Sequence, residues 1–140
     1  MSRIGDWMQE PARDVRVAAD ADVVVVDSVG ELASLYHLAE LAFVGGSLSP
    51  IGGHNLVEPV QAGRIAVHGP NTQNQRTQEA LLAPLGVLRR VENAAALERV
   101  LLELWLQPDR NAAAREAAKR LDEHRGAADR VLRLVLEARG

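Results

Sequence analysis

At 140 residues, with 47% hydrophobic and 25% charged side chains, the chain has the size and composition of one ordinary globular domain. Sixteen Lys and Arg against nineteen Asp and Glu leave a net charge of −3, so no basic field draws a nucleic-acid polymer or an anionic membrane. Without cysteine there is no disulfide and no thiolate metal site, and no apolar run approaches the ~20 residues of a membrane-spanning helix.

Residues 1–22 are weakly patterned: Ile4, Trp7 and Met8 share a helical face that Pro11 would end. Val23-Val24-Val25-Val26 reads as a strand buried on both faces, because an unbroken β-branched run suits a parallel sheet covered by helices. A helix is expected from about Val29 to Ala39, and Leu41 to Val44 forms a second strand ended by Gly45-Gly46. A short helix then precedes Gly63, which stands where a left-handed C-cap belongs.

Arg64 to His68 is a third strand, closed by Gly69-Pro70, and Asn71 or Thr72 can cap a helix running to about Leu82. Val87 to Val91 makes a fourth strand. Beyond it Leu97, Val100, Leu101, Leu104 and Trp105 form an apolar helical stripe, Ala114, Ala117, Ala118 and Leu121 a second, and Ala128, Val131, Leu132 and Val135 a third. Arg110 to Arg125 reads as a solvated charged face.

The alternation predicts an α/β fold, a Rossmann-like parallel sheet with helices on both faces that ends in C-terminal helices. In such sheets ligands sit at the carboxyl ends of the strands. Three loops fall there: Asp27-Ser28, Gly45 to Asn55, and Gly69-Pro70-Asn71.

The richest stretch is Gly45-Gly46-Ser47-Leu48-Ser49-Pro50-Ile51-Gly52-Gly53-His54-Asn55-Leu56-Val57-Glu58-Pro59. Paired glycines let a backbone approach an anion and point N–H groups at it, which indicates a phosphorylated, nucleotide-linked ligand. Glu58, an acceptor-only group, would be unfavourable beside a phosphate and favourable on ribose hydroxyls. It also has capping spacing to Asn55, as Glu31 has to Ser28, so a structural reading of each stands beside the functional one. The backbone N–H groups of Val29, Gly30 and Glu31 open a helix and could donate to a phosphate or a base carbonyl. His54 has no visible base partner, which favours ligand contact over catalysis. His37, His68 and His124 lack metal-ligand spacing. Ser47 lacks a nucleophile elbow, and neither the Rossmann nor the P-loop fingerprint is present. Asn74, Gln75 and Arg76 read either as a third binding loop or as a solvated first turn.

These residues resemble the C-terminal, donor-binding half of the 3-deoxy-D-manno-octulosonic acid (Kdo) transferases. The matching runs are Asp27-Ser28-Val29-Gly30-Glu31-Leu32, Leu41-Ala42-Phe43-Val44-Gly45-Gly46-Ser47-Leu48, Gly52-Gly53-His54-Asn55-Leu56-Val57-Glu58-Pro59, and Gly69-Pro70-Asn71 with Asn74 after it. The resemblance implies the C-terminal half of a GT-B glycosyltransferase, here residues 23–140, with residues 1–22 a divergent or truncated start. It implies transfer of Kdo from CMP-Kdo to a lipid A precursor in lipopolysaccharide core biosynthesis, with no cofactor and no bound metal. Val29, Gly30, Glu31, Asn55, Leu56, Val57 and Glu58 would hold the nucleotide, and Gly46, Ser47, Gly53 and His54 would lie near the donor's sugar or phosphate.

The family's general base, acceptor site and membrane anchor belong to an N-terminal half, and the Arg-His-Pro-Glu-Arg type segment that opens the donor domain is not found in this sequence. The expectation is therefore a soluble, cytoplasmic chain that alone binds CMP weakly and transfers no sugar, the full-length family working at the cytoplasmic face of the inner membrane. A separately encoded N-terminal half would be its partner. The rival readings are a GT-B domain using a UDP-sugar, a non-catalytic remnant or split-enzyme half, and, more weakly, a dinucleotide-dependent oxidoreductase.

Overall fold

A computed structural model describes residues 22–26 and 29–123. In chain order it contains α1 (Leu32–Tyr36), β1 (Ala42–Val44), α2 (Val57–Gln61), β2 (Ala66–His68), α3 (Arg76–Leu82) with a 3-10 turn over Ala83–Leu85, β3 (Leu88–Arg90) and α4 (Ala94–Leu106). A further helix, α5, covers residues 112–123. The sheet is parallel in the order β1-β2-β3, with Ala42, Ala66 and Leu88 in one row and Val44, His68 and Arg90 in another. The α/β expectation holds, with α2 and α3 each carrying the chain from one parallel strand to the next.

Ala66, Val67 and His68 of β2 are all buried. Successive strand residues point to opposite faces, so the central strand is covered on both sides. Val44, Ile65, Val67, Val87 and Val91 join Leu56 and Val60 of the α2 region, Leu82 of α3, Leu104 of α4, and Ala114 and Ala117 of α5 in one core. α2 closes with the expected left-handed Gly63, at φ 74°. There the Gly63 N–H donates to Val60 O and the Arg64 N–H to Pro59 O, the paired bonds of a Schellman motif.

Five expectations are corrected. Val23 to Val26 are not a buried strand: they lack regular structure, are 43% to 84% exposed, and pair with no strand among the described residues. A β-branched run favours extension, but only a neighbouring strand and a covering helix can bury it. The helix after it is shorter than expected, Leu32–Tyr36 without a buried residue, since little packing supports further turns. α3 begins at Arg76, with Gln75 as its N-cap residue rather than Asn71 or Thr72, because Asn71 is drawn away to the Ser47 carbonyl.

Finally, Trp105 is 58% exposed at the margin of the α4 stripe, and Arg110 is no solvated charge. Its guanidinium lies 5.3 Å from the Trp105 ring, donates to the carbonyls of Trp105 and Gln107 at the end of α4, and pairs with Glu40 at 2.9 Å. The Ile4–Met8 face, the Asp27-Ser28 cap and the Ala128–Val135 helix lie outside the described residues.

Candidate functional site

The loop after β1 folds back on its own glycine pairs. The Gly53 N–H donates to Gly46 O and the His54 N–H to Gly45 O, each at 3.2 Å. Gly52 and Gly53 sit at φ 103° and 73°, a region that side-chain-bearing residues rarely adopt. A Cβ on Gly53 would come within 3.1 Å of the Asn71 carbonyl oxygen, so the close approach anticipated from the sequence is made first to the protein's own backbone. His54 is exposed beside Gly46.

Ser47 behaves differently from the reading of it as a donor contact. It is fully buried, its hydroxyl donating to Val44 O and accepting the Gly69 N–H at 2.8 Å. That hydroxyl welds the end of β1 to the end of β2 and is closed to an outside ligand. The Ser47 carbonyl in turn accepts the Asn71 N–H at 2.9 Å and the Asn71 side-chain amide at 3.2 Å.

The start of α2 is held by two side chains. Asn55 Oδ1 accepts the Val57 N–H at 2.9 Å while Asn55 Nδ2 donates to Glu58 Oε1 at 3.0 Å. Gln78, reaching over from α3, accepts the Leu56 N–H at 3.0 Å. Asn55 thus serves the helix start as its spacing predicted, one residue earlier than a formal N-cap, and Pro59 fits within the first turn. The amides of Leu56 and Val57 are already engaged, and Leu56 itself lies in the core. What this segment offers a ligand is the half-buried Glu58 carboxylate, oriented by Asn55.

Val29, Gly30 and Glu31 are exposed at the head of α1, and α1 packs against α2. Arg64 ties the two together, donating to Tyr36 O at 3.2 Å and His37 O at 2.7 Å. The Tyr36 phenol has its pKa raised by burial and, secondarily, by the Glu58 carboxylate. The nucleotide-facing segments expected from the sequence therefore stand on adjoining helices. Gly46, Gly53 and His54 gather in the neighbouring loop.

Several residues of this region carried no sequence signal of their own. Gln78 sits on a helix face with no motif around it. Gln73 donates to Pro50 O at 3.0 Å and Asn74 to Ile51 O at 3.2 Å. Asn74, read from the sequence either as part of a third binding loop or as a solvated first turn, has the glycine loop as its partner. A cavity of about 350 Å³ lined by Leu41, Phe43, Leu101, Leu102 and Trp105 lies elsewhere, beside β1 and α4, and includes none of these residues.

A parallel sheet with a glycine loop at the end of β1 and a half-buried carboxylate at the start of α2 defines a Rossmann-like α/β domain. No family model matches the chain. It is 35% identical over 113 residues to the 3-deoxy-D-manno-octulosonic acid transferase of Chlamydophila psittaci, covering 80% of this chain and 26% of that protein. The transferase of Haemophilus influenzae is 36% identical over 118 residues, covering 83% of this chain and 28% of its own length. The C-terminal CMP-Kdo binding domain of WaaA from Acinetobacter baumannii superposes with a TM-score of 0.61 at 30% identity, over 68% of this chain and 50% of that one. The resemblance to the donor-binding half of the Kdo transferases is thus borne out in sequence and in fold. The chain spans about a quarter of the length of the curated relatives it matches. Among the described residues no helix is long and apolar enough to cross a membrane.

Proposed function

We propose that residues 23–140 form the donor-binding unit of a Kdo transferase, an enzyme that moves Kdo from CMP-Kdo to a lipid A precursor in lipopolysaccharide biosynthesis. The observation that carries this reading is Glu58 held by Asn55 beside the Gly45–His54 loop, in a chain whose fold matches a CMP-Kdo binding domain at 30% identity. Glu58 accepts from the ribose hydroxyls, and a carboxylate is suited to that because it has no proton to offer and two oxygens to receive with. The exposed residues Val29, Gly30 and Glu31 face the base or phosphate. Gly46, Gly53 and His54 border the phosphate and sugar. Ser47, Leu56 and Val57 act through the fold, setting the loop and the start of α2.

Transfer needs an acceptor and a general base brought to the donor, since holding the reactants together supplies much of the rate. The resemblance puts both in the N-terminal half of the full-length enzymes, so nucleotide binding is the measurement that reads these residues directly. Calorimetry with CMP and UDP on the 140-residue chain tests the proposal. CMP should bind and UDP should bind more weakly. A preference for UDP would turn the assignment toward a UDP-sugar enzyme, and binding of neither nucleotide would overturn it.

A further inference from the structure

The glycine loop is fastened from outside by the segment that follows β2. Its base is closed by its own backbone, through Gly53 to Gly46 and His54 to Gly45. Its tip, Pro50-Ile51, is exposed, and the tip carbonyls are taken by the Gln73 and Asn74 side chains from 23 residues further along the chain. Asn71 adds two bonds to the Ser47 carbonyl at the loop's other limb. The fit is close: a Cβ at Gly52 would stand 2.5 Å from Asn74 Nδ2, so the absence of a side chain there is what lets the amide reach Ile51.

Gln73 and Asn74 are themselves exposed, and an exposed neutral hydrogen bond contributes little to global stability. A turn with two glycines at positive φ has many alternative conformations, so even a modest bond selects strongly among them. We propose that Asn74, assisted by Gln73, is a positioning residue: its amide holds the Gly52-Gly53 turn in the conformation that receives the phosphate side of the nucleotide. This deepens the donor reading above and rests on it. Because Asn74 grips the loop and not the α2 start that carries Glu58, its effect falls on phosphate recognition and leaves the nucleoside end alone.

The test compares CMP with cytidine, by NMR shift titration, on the whole chain and on Asn74→Ala, Asn74→Asp and Asn74→Gln. Asn74→Ala should weaken CMP about threefold to tenfold, the value of one hydrogen bond, with cytidine affinity and melting temperature unchanged. Asn74→Asp, equal in size but without a donor for Ile51 O, should do at least as much. Asn74→Gln, which keeps the amide, should recover part of the loss. Amide exchange at Gly53 and His54 should quicken in the alanine variant. Wild-type CMP affinity in all variants, or equal losses for CMP and cytidine, would overturn the positioning role while the donor reading stands. Failure of the wild-type chain to bind either ligand would overturn both.

Discussion

The Tyr36 phenol is held above its ordinary pKa of 10.0 by burial and by the Glu58 carboxylate, which makes it a reporter built into the contact between α1 and α2. Tyr36 is the only tyrosine in the chain, so ultraviolet titration reads this one group. A phenol whose folded-state pKa is raised keeps its proton longer folded than unfolded. Its contribution to stability is therefore complete below pH 10 and is lost as the pH rises through the folded value. Titration should show a midpoint above 10, and Glu58→Gln should lower it only in part, because burial is the larger cause. A midpoint at or below 10 would mean that the phenol is solvated and that the α1–α2 contact is looser than described.

Glu58→Gln should reduce CMP affinity about tenfold to a hundredfold, the worth of hydrogen bonds to a charged acceptor. The loss should concentrate on the ribose. Wild-type chain should prefer CMP over its 2′-deoxy analogue, and the variant should show little of that preference. Equal discrimination in both proteins would place the ribose elsewhere.

Ser47→Ala removes a hydroxyl that serves two backbone groups in the core, Val44 O and Gly69 N–H. Leaving them unsatisfied should cost about 1–3 kcal/mol, visible as a lower urea midpoint with an unchanged slope. CMP affinity of the folded protein should change little. The opposite pattern, full stability with lost binding, would return Ser47 to the ligand.

Gly53→Val combines a β-branched side chain with φ 73° and crowds the Asn71 carbonyl oxygen. The loop should shift, CMP binding should disappear, and helical circular dichroism should persist, since the core helices do not depend on this turn. Wild-type affinity in the variant would make the loop a purely structural element.

Much of the architecture is local and hence legible. Apolar runs stopped by glycine at Gly45 and Gly69 locate β1 and β2, the alternation of strands and helices calls for a parallel sheet, and Gly63 announces its own cap. The Gly45–Pro59 motif likewise carries the family resemblance and points to Glu58 before any coordinate is known. Ser47 shows where such reading stops. A serine between glycines looks available to a ligand, and only its burial shows that Val44 and Gly69 already use it.

Chain neighbours within a turn or a strand pair set propensity, capping and backbone freedom, and these the amino-acid order determined alone. Which groups meet across 22 to 46 positions was decided by tertiary packing: Gln78 on the Leu56 amide, Asn74 on Ile51, Asn111 accepting the Ile65 N–H at 2.9 Å. The same holds in reverse for Val23 to Val26, whose side chains favour a strand while no described neighbour pairs with it. Burial and hydrogen-bond partnership are properties of what lies opposite in space, and no periodicity along the chain encodes them.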